Sequence, residues 1–158
     1  MALKWDLPAG WKAGEPRYPV PQTLVIGGLM NHVYEGDYAV IVPLAVPAGA
    51  AGGAAPLKVE AEWLACTDKI CVPEEATLSL LIPVAGQGVR DARFDRWRAA
   101  LPPLLDRPAQ FQLADGRLRI AIPLPASLDI GAPHVFIRDE DLVDYAAPQA
   151  FSRRDDML

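Results

Sequence analysis

The sequence predicts an all-β protein of short strands with one short helix. Three observations lead there. Sixteen prolines among 158 residues, about twice the average usage of roughly 5%, are scattered through nearly every segment and interrupt any long helix. Residues 57–66 alternate between apolar and polar side chains, the period of a half-buried strand. Only Asp91 to Leu101 repeats its apolar residues, Phe94, Trp97 and Leu101, at helical spacing.

The elements follow in order. Trp5-Asp6-Leu7-Pro8-Ala9-Gly10-Trp11 is turn-rich, with two Trp side chains available to pack. Pro16 to Pro21 is extended, because each residue before a proline is pushed into the β or polyproline region. Thr23 to Ile26 is a short β-branched run ending at Gly27-Gly28. Tyr34 to Asp37 reads as a turn, and Tyr38 to Val46 as a strand in which Pro43 marks an edge or a bulge. Ala48 to Ala55 reads as a flexible surface loop.

From Leu57 onward, Leu57, Val59, Ala61, Trp63 and Ala65 share one face, with Lys58, Glu60 and Glu62 opposite. Cys66 falls in register with the polar face, near the surface where the strand ends. Thr77 to Val84 is the next strand, which leaves Cys71 in the loop between the two. The helix Asp91–Leu101 has an acidic start and is stopped by Pro102-Pro103. Phe111–Leu113 and Leu118–Ile122 flank Asp115-Gly116, a strong hairpin signal. Val135 to Ile137 is a last strand, and Ser152 to Asp156 a solvated, frayed tail. The helix and its double proline divide residues 1–88 from residues 107–158, an additional β segment or the start of a second domain, with 89–106 as helix and linker.

A formal net charge of −5 argues against nucleic acid as a partner, since phosphate binding needs a concentrated basic face. No apolar run approaches the ~20 residues that cross a bilayer, and Met1 to Trp5 has no signal-peptide pattern. The two cysteines, Cys66 and Cys71, are separated by four residues. Such a pair is a candidate redox couple, a small structural staple, or half a metal site. So short a ring removes little denatured-state entropy when closed, yet it is easily opened by an incoming thiolate and easily re-formed. A metal site finds little support, because His32 and His134 are distant in sequence and no second Cys pair exists. Neither Gly27-Gly28 nor Gly52-Gly53 opens a helix, so neither is a phosphate-binding loop.

Trp63-Leu64-Ala65-Cys66 through Cys71-Val72-Pro73-Glu74 resembles the cysteine segment of the N-terminal periplasmic domain of DsbD-type thiol:disulfide interchange proteins, especially the longer ScsB-like variants. Trp5 to Trp11, Pro19-Val20-Pro21 and Tyr34-Glu35-Gly36-Asp37 are similar to that family's approach to the cysteine strand. Asp144 to Gln149 resembles the stretch beyond the domain.

The resemblance implies an immunoglobulin-like β-sandwich in which Cys66 and Cys71 cycle between disulfide and dithiol. Electrons would arrive from a thioredoxin-like domain and leave to oxidised periplasmic proteins, with Cys71 forming the mixed disulfide and Cys66 resolving it. No cofactor or metal is implied. Asp68 and Glu62, with Glu74 nearby, would raise a thiol's pKa and Lys69 would lower it. The family's cap loop corresponds to Gly27 to Asn31, where Leu29 or Met30 would cover the disulfide. Against the family, the sequence reads as a fragment of a protein of the bacterial inner membrane, lacking a leader, an early part of the sandwich and all membrane segments. A missing early strand would expose a sheet edge. The competing expectation is a non-catalytic immunoglobulin-like interaction module with a structural disulfide.

Overall fold

A computed structural model describes residues 1–50, 52–84, 88, 90–139 and 141–158. The described residues are mostly β with one short helix, and the chain divides into two compact units. The first comprises Met1–Gly27 and Asn31–Pro102, the second Gly28–Met30 and Pro103–Leu158. The start of the expected linker, residue 89, lies outside the described residues, as does residue 51 of the expected loop.

The first unit is built on a three-stranded antiparallel sheet. Its central strand is β6 (Gly53–Cys66), flanked by β1 (Ala2–Asp6) and β7 (Cys71–Val84). The period-two alternation of β6 sorts its side chains by face. Leu57 and Ala61 are buried, together with Ala55, while Glu62 on the opposite face is exposed. Trp5 pairs with Val59 and Leu3 with Ala61, so β1 extends the same apolar face. That face lines an open cavity of about 680 Å³, to which Trp63, Tyr38, Phe94 and Trp97 also contribute. The opposite face is polar: Glu60 sits between Lys4 at 3.2 Å and Lys58 at 3.3 Å.

Several expectations change here. The strand expected over Tyr38–Val46 shrinks to β5 (Leu44–Ala45), which pairs with β2 (Lys12–Ala13), and an isolated bridge from Ile41 to Arg17. Pro43 has no N–H to give and interrupts the run; its carbonyl accepts from Gly14 at 2.8 Å instead. Gly53 to Ala55, expected in a loop, begin β6, because Ile82 to Val84 supply backbone partners. Residues 22–33 form a hairpin: β3 (Gln22–Ile26) and β4 (Leu29–Val33) are joined by Gly27 and Gly28 at φ 58° and 84°. Two consecutive positive φ values are what a type I′ two-residue hairpin turn requires.

The helix α1 (Ala92–Ala99) is capped by Asp91, whose carboxylate accepts from the Arg93 N–H at 2.9 Å. Arg93 stacks over Trp97 and Arg98 over Phe94, and the two rings meet edge-on at 5.0 Å. No helix among the described residues is long and apolar enough to cross a membrane.

In the second unit, β8 (Gln110–Ala114) and β9 (Arg117–Ala121) form the expected hairpin around Asp115-Gly116, both at positive φ. The strand expected at Val135–Ile137 does not form. The Gln149 side chain stands in for a neighbouring strand, accepting from Val135 N–H and donating to its C=O, each at 2.8 Å. The C-terminal tail is not frayed. Leu158 exchanges two backbone bonds with Ile122, and Asp156 accepts from the Ala126 N–H at 2.8 Å. The Arg153 guanidinium reaches the Pro125 carbonyl at 2.7 Å.

Candidate thiol-disulfide site

The long hairpin of β6 and β7 determines where the cysteines lie. Its register pairs every residue from Gly53 to Cys66 with one from Val84 to Cys71. Cys71 therefore opens β7 and is not a loop residue. Pro73, Glu74 and Glu75 lack the alternation that marks a half-buried strand, which hid this start. Cys66 and Cys71 face one another as the last pair of the ladder and form a disulfide, with Cα atoms 4.0 Å apart. The pairing has a backbone cause. Thr67 donates to the Ile70 carbonyl at 2.8 Å, so those two residues are a hydrogen-bonded pair. The adjacent Cys66/Cys71 pair is then a non-bonded one, whose side chains approach most closely in an antiparallel ladder.

Thr67 also fastens the connection. Its hydroxyl accepts from the N–H groups of Lys69 and Ile70, each at 3.2 Å. A threonine whose side chain satisfies turn amides holds a four-residue loop without glycine. Sequence reasoning missed this role; a Thr directly after a strand, followed by Asp and Lys, was its only signal.

Around the sulfurs the predicted residues separate. Both cysteines are half-buried, while Asp68 and Lys69 occupy the exposed apex of the loop. Glu62 lies on the disulfide's face with Leu64 between it and Cys66, and Glu75 stands directly opposite it. Glu75 joins the site by register alone, since 62 and 75 share the pairing that joins 66 and 71. Glu74 is turned to the other face, where it accepts the Trp63 indole N–H at 3.0 Å. Leu64 and Ile70 are 59% and 60% exposed, giving the tip of the hairpin an apolar rim. Leu29 and Met30 are the first residues of β4, and Leu29 is 73% exposed.

Neither histidine belongs to this site by sequence position: His32 lies in β4, and His134 packs against Phe136 with ring centroids 4.6 Å apart. Among the described residues, no group of three or more His, Cys, Asp or Glu side chains is placed to hold a metal.

Such an arrangement can do one kind of chemistry readily. A disulfide between two half-buried cysteines at the end of a paired ladder can be attacked by a thiolate and re-formed by its own second thiol. Neither a curated protein nor a solved structure matches the chain. Residues 1–83, more than half of the 158 residues and including both cysteines, match the family described as thiol:disulfide interchange protein DsbD, N-terminal. That family is one of periplasmic, immunoglobulin-like β domains belonging to a disulfide-reductase system, and this chain belongs to it.

Proposed function

We propose that the chain carries reducing equivalents in the periplasm through a reversible Cys66–Cys71 disulfide, as a protein-disulfide reductase domain. The observation that carries this reading is the disulfide itself, closed across the exposed end of β6 and β7 in a chain of the interchange family. Its electron donor is a thioredoxin-like domain, and its acceptors are periplasmic proteins with disulfides. The full-length protein sits in the bacterial inner membrane.

The steps balance as two thiol-disulfide exchanges. A donor dithiol reduces the Cys66–Cys71 bond and becomes a disulfide. The Cys71 thiolate then attacks an acceptor disulfide, giving a mixed disulfide and one acceptor thiolate. Cys66 attacks the Cys71 sulfur, restores the intramolecular bond and releases the second acceptor thiol. Two electrons have moved, and no cofactor is consumed. Lys69, Asp68 and Glu62 tune the thiols through their charges, and Leu29 and Met30 shield the bond from stray thiols. What favours Leu29 for this role is its own exposure, 73%, at the start of β4. Residues 1–88 form the exchange domain, 89–106 a helix and linker, and 107–158 an additional β segment; the family match ending at residue 83 supports the first boundary, while α1 packs within the first compact unit, which ends at Pro102.

The test is a redox titration with trapping. The bond should equilibrate with glutathione or thioredoxin buffers, whereas a structural bridge typically lies below about −300 mV. Cys66→Ala should accumulate a mixed disulfide through Cys71, and Met30→Ala should speed reduction by a small dithiol. Failure to equilibrate, with no complex trapped by either single variant, would leave the domain an interaction module with a structural disulfide.

A further inference from the structure

β7 is an edge strand among the described residues, because the sheet order is β1-β6-β7. The register shows which of its backbone groups face away from β6. Thr67 and Ile70 are a hydrogen-bonded pair, and bonded and non-bonded pairs alternate along an antiparallel ladder. Even-numbered residues of β7 therefore turn N–H and C=O toward β6, and odd-numbered residues turn them outward. Pro73 and Pro83 are both odd-numbered. Each sits where a missing N–H costs no bond to β6, the place an edge strand tolerates proline. Between them, the outward groups are those of Glu75, Thr77, Ser79 and Leu81.

Proteins blunt exposed edges with charge, proline or a bulge. Here the prolines stop only the ends. Residues 76–82, Ala-Thr-Leu-Ser-Leu-Leu-Ile, contain no charge. Leu78, Leu80 and Leu81 are 59%, 62% and 61% exposed.

We propose that β7 pairs antiparallel with β7 of a second copy of this chain, centred on Leu78. In that register Pro73 faces Pro83, Glu75 faces Leu81, Thr77 faces Ser79, and Leu78 faces its own counterpart. Every outward N–H between the prolines then meets a carbonyl. The strand's self-complementarity selects a second copy as the occupant. Glu74 meets Ile82 and Glu75 meets Leu81, so no like charges are opposed. Ala76 against Leu80 and Leu78 against Leu78 continue the apolar face of the sheet across the two-fold axis. A one-residue shift would set the apolar face of one copy beside the polar face of the other. Centring on Glu75 would oppose that carboxylate to itself. The disulfides fall outside the shared ladder at opposite ends, about 48 Å apart at ~3.4 Å per residue, so pairing leaves both within reach of other proteins.

Sedimentation of the intact 158-residue chain from micromolar to sub-millimolar concentration should show a reversible monomer–dimer equilibrium. Ser79→Pro removes one outward donor and no bond to β6. It should weaken the dimer by roughly tenfold or more and leave the far-UV circular dichroism unchanged. Amide exchange on the unaltered chain reads the edge directly. Thr77, Ser79 and Leu81 should gain protection only at dimer-forming concentration, while Leu78 and Leu80 stay protected throughout. A monomer over the whole range, a dimer without that alternating protection, or an undiminished Ser79→Pro dimer would overturn the proposal. Should Ser79→Pro fail to fold, the exchange pattern decides.

Discussion

The indole N–H of Trp63 donates to a Glu74 carboxylate oxygen at 3.0 Å, and the two residues are directly paired across β6 and β7. They lie three pairs below the disulfide, one at each end of the Trp63–Cys66 and Cys71–Glu74 flanks. The bond ties the two strands together between the disulfide and the rest of the ladder, and so helps hold the two sulfurs in register. Glu74→Ala removes the acceptor. An exposed hydrogen bond contributes about 0.5 kcal/mol at the low end of the usual range, so the ring-closing equilibrium should shift by roughly two- to threefold toward the dithiol. Titrating the variant and parent in the same glutathione buffers, with Trp fluorescence as the second readout, checks this. An unchanged midpoint would show that the pair only covers the sheet.

Reduction should leave the domain folded. The cysteines are 5 positions apart, and closing so small a loop accounts for about 2 kcal/mol at most. The ladder below them runs down to the Gly53–Val84 pair and does not depend on the sulfurs. Urea denaturation of the oxidised and reduced forms should therefore give similar slopes, with the reduced midpoint only modestly lower. Loss of the native far-UV spectrum on reduction would make the bond a structural staple.

The parts of this site legible in the sequence are those where one strand carries its own pattern. Leu57 to Cys66 alternates because one face packs and the other meets water, and that fixed which side of the sheet Cys66 would occupy. The Asp115-Gly116 hairpin was legible for a related reason: its turn needs positive φ, and those two residues supply it. What stayed hidden depends on pairing between segments. Cys71 looked like a loop residue because Pro73 hides the strand, yet that proline points its missing N–H away from β6. Gly27-Gly28 reads as the start of a loop and is a hairpin turn, visible only once residues 29–33 have a partner. The tail at Ser152 to Asp156 is polar in sequence, and its order comes from carbonyls near residues 124–128 that no local pattern could announce.

Helix α1 should loosen in acid. The Asp91 carboxyl is held below its ordinary value by the Arg93 side chain first, and by the Arg93 backbone N–H it caps. A carboxyl with a lowered folded pKa contributes stability that is fully present above its unfolded value of about 3.9. That contribution is lost as pH falls through the lower folded value. Helical signal from Ala92–Ala99, followed by nuclear magnetic resonance, should hold steady above about pH 5 and decline toward about pH 2. Asp91→Asn keeps an oxygen for the Arg93 N–H but has no charge to lose, so its helix should be nearly flat over that interval. A parental helix indifferent to acid would show that the cap charge has no role.

The alkaline limit should be set in part by a column of three tyrosines. Tyr34 stacks on Tyr38 at 4.5 Å and on Tyr18 at 6.3 Å, and its hydroxyl donates to the Pro19 carbonyl at 2.9 Å. Burial lifts the Tyr34 phenol above its ordinary value, and Tyr18 and Tyr38 add to the lift; Tyr18 is raised by burial and then by Tyr38. A raised folded pKa means the neutral phenol is favoured in the fold. The stabilisation is complete below the unfolded value of about 10 and fades as pH climbs through the folded one. Tyr34→Phe keeps the stacked ring and deletes the hydroxyl. It should cost about 0.5–1.5 kcal/mol at neutral pH and reduce the further loss of stability above about pH 10. Phenolate absorbance measured alongside urea denaturation separates the two effects. If the variant unfolds in base as steeply as the parent, the Tyr34 hydroxyl is not what limits the fold there.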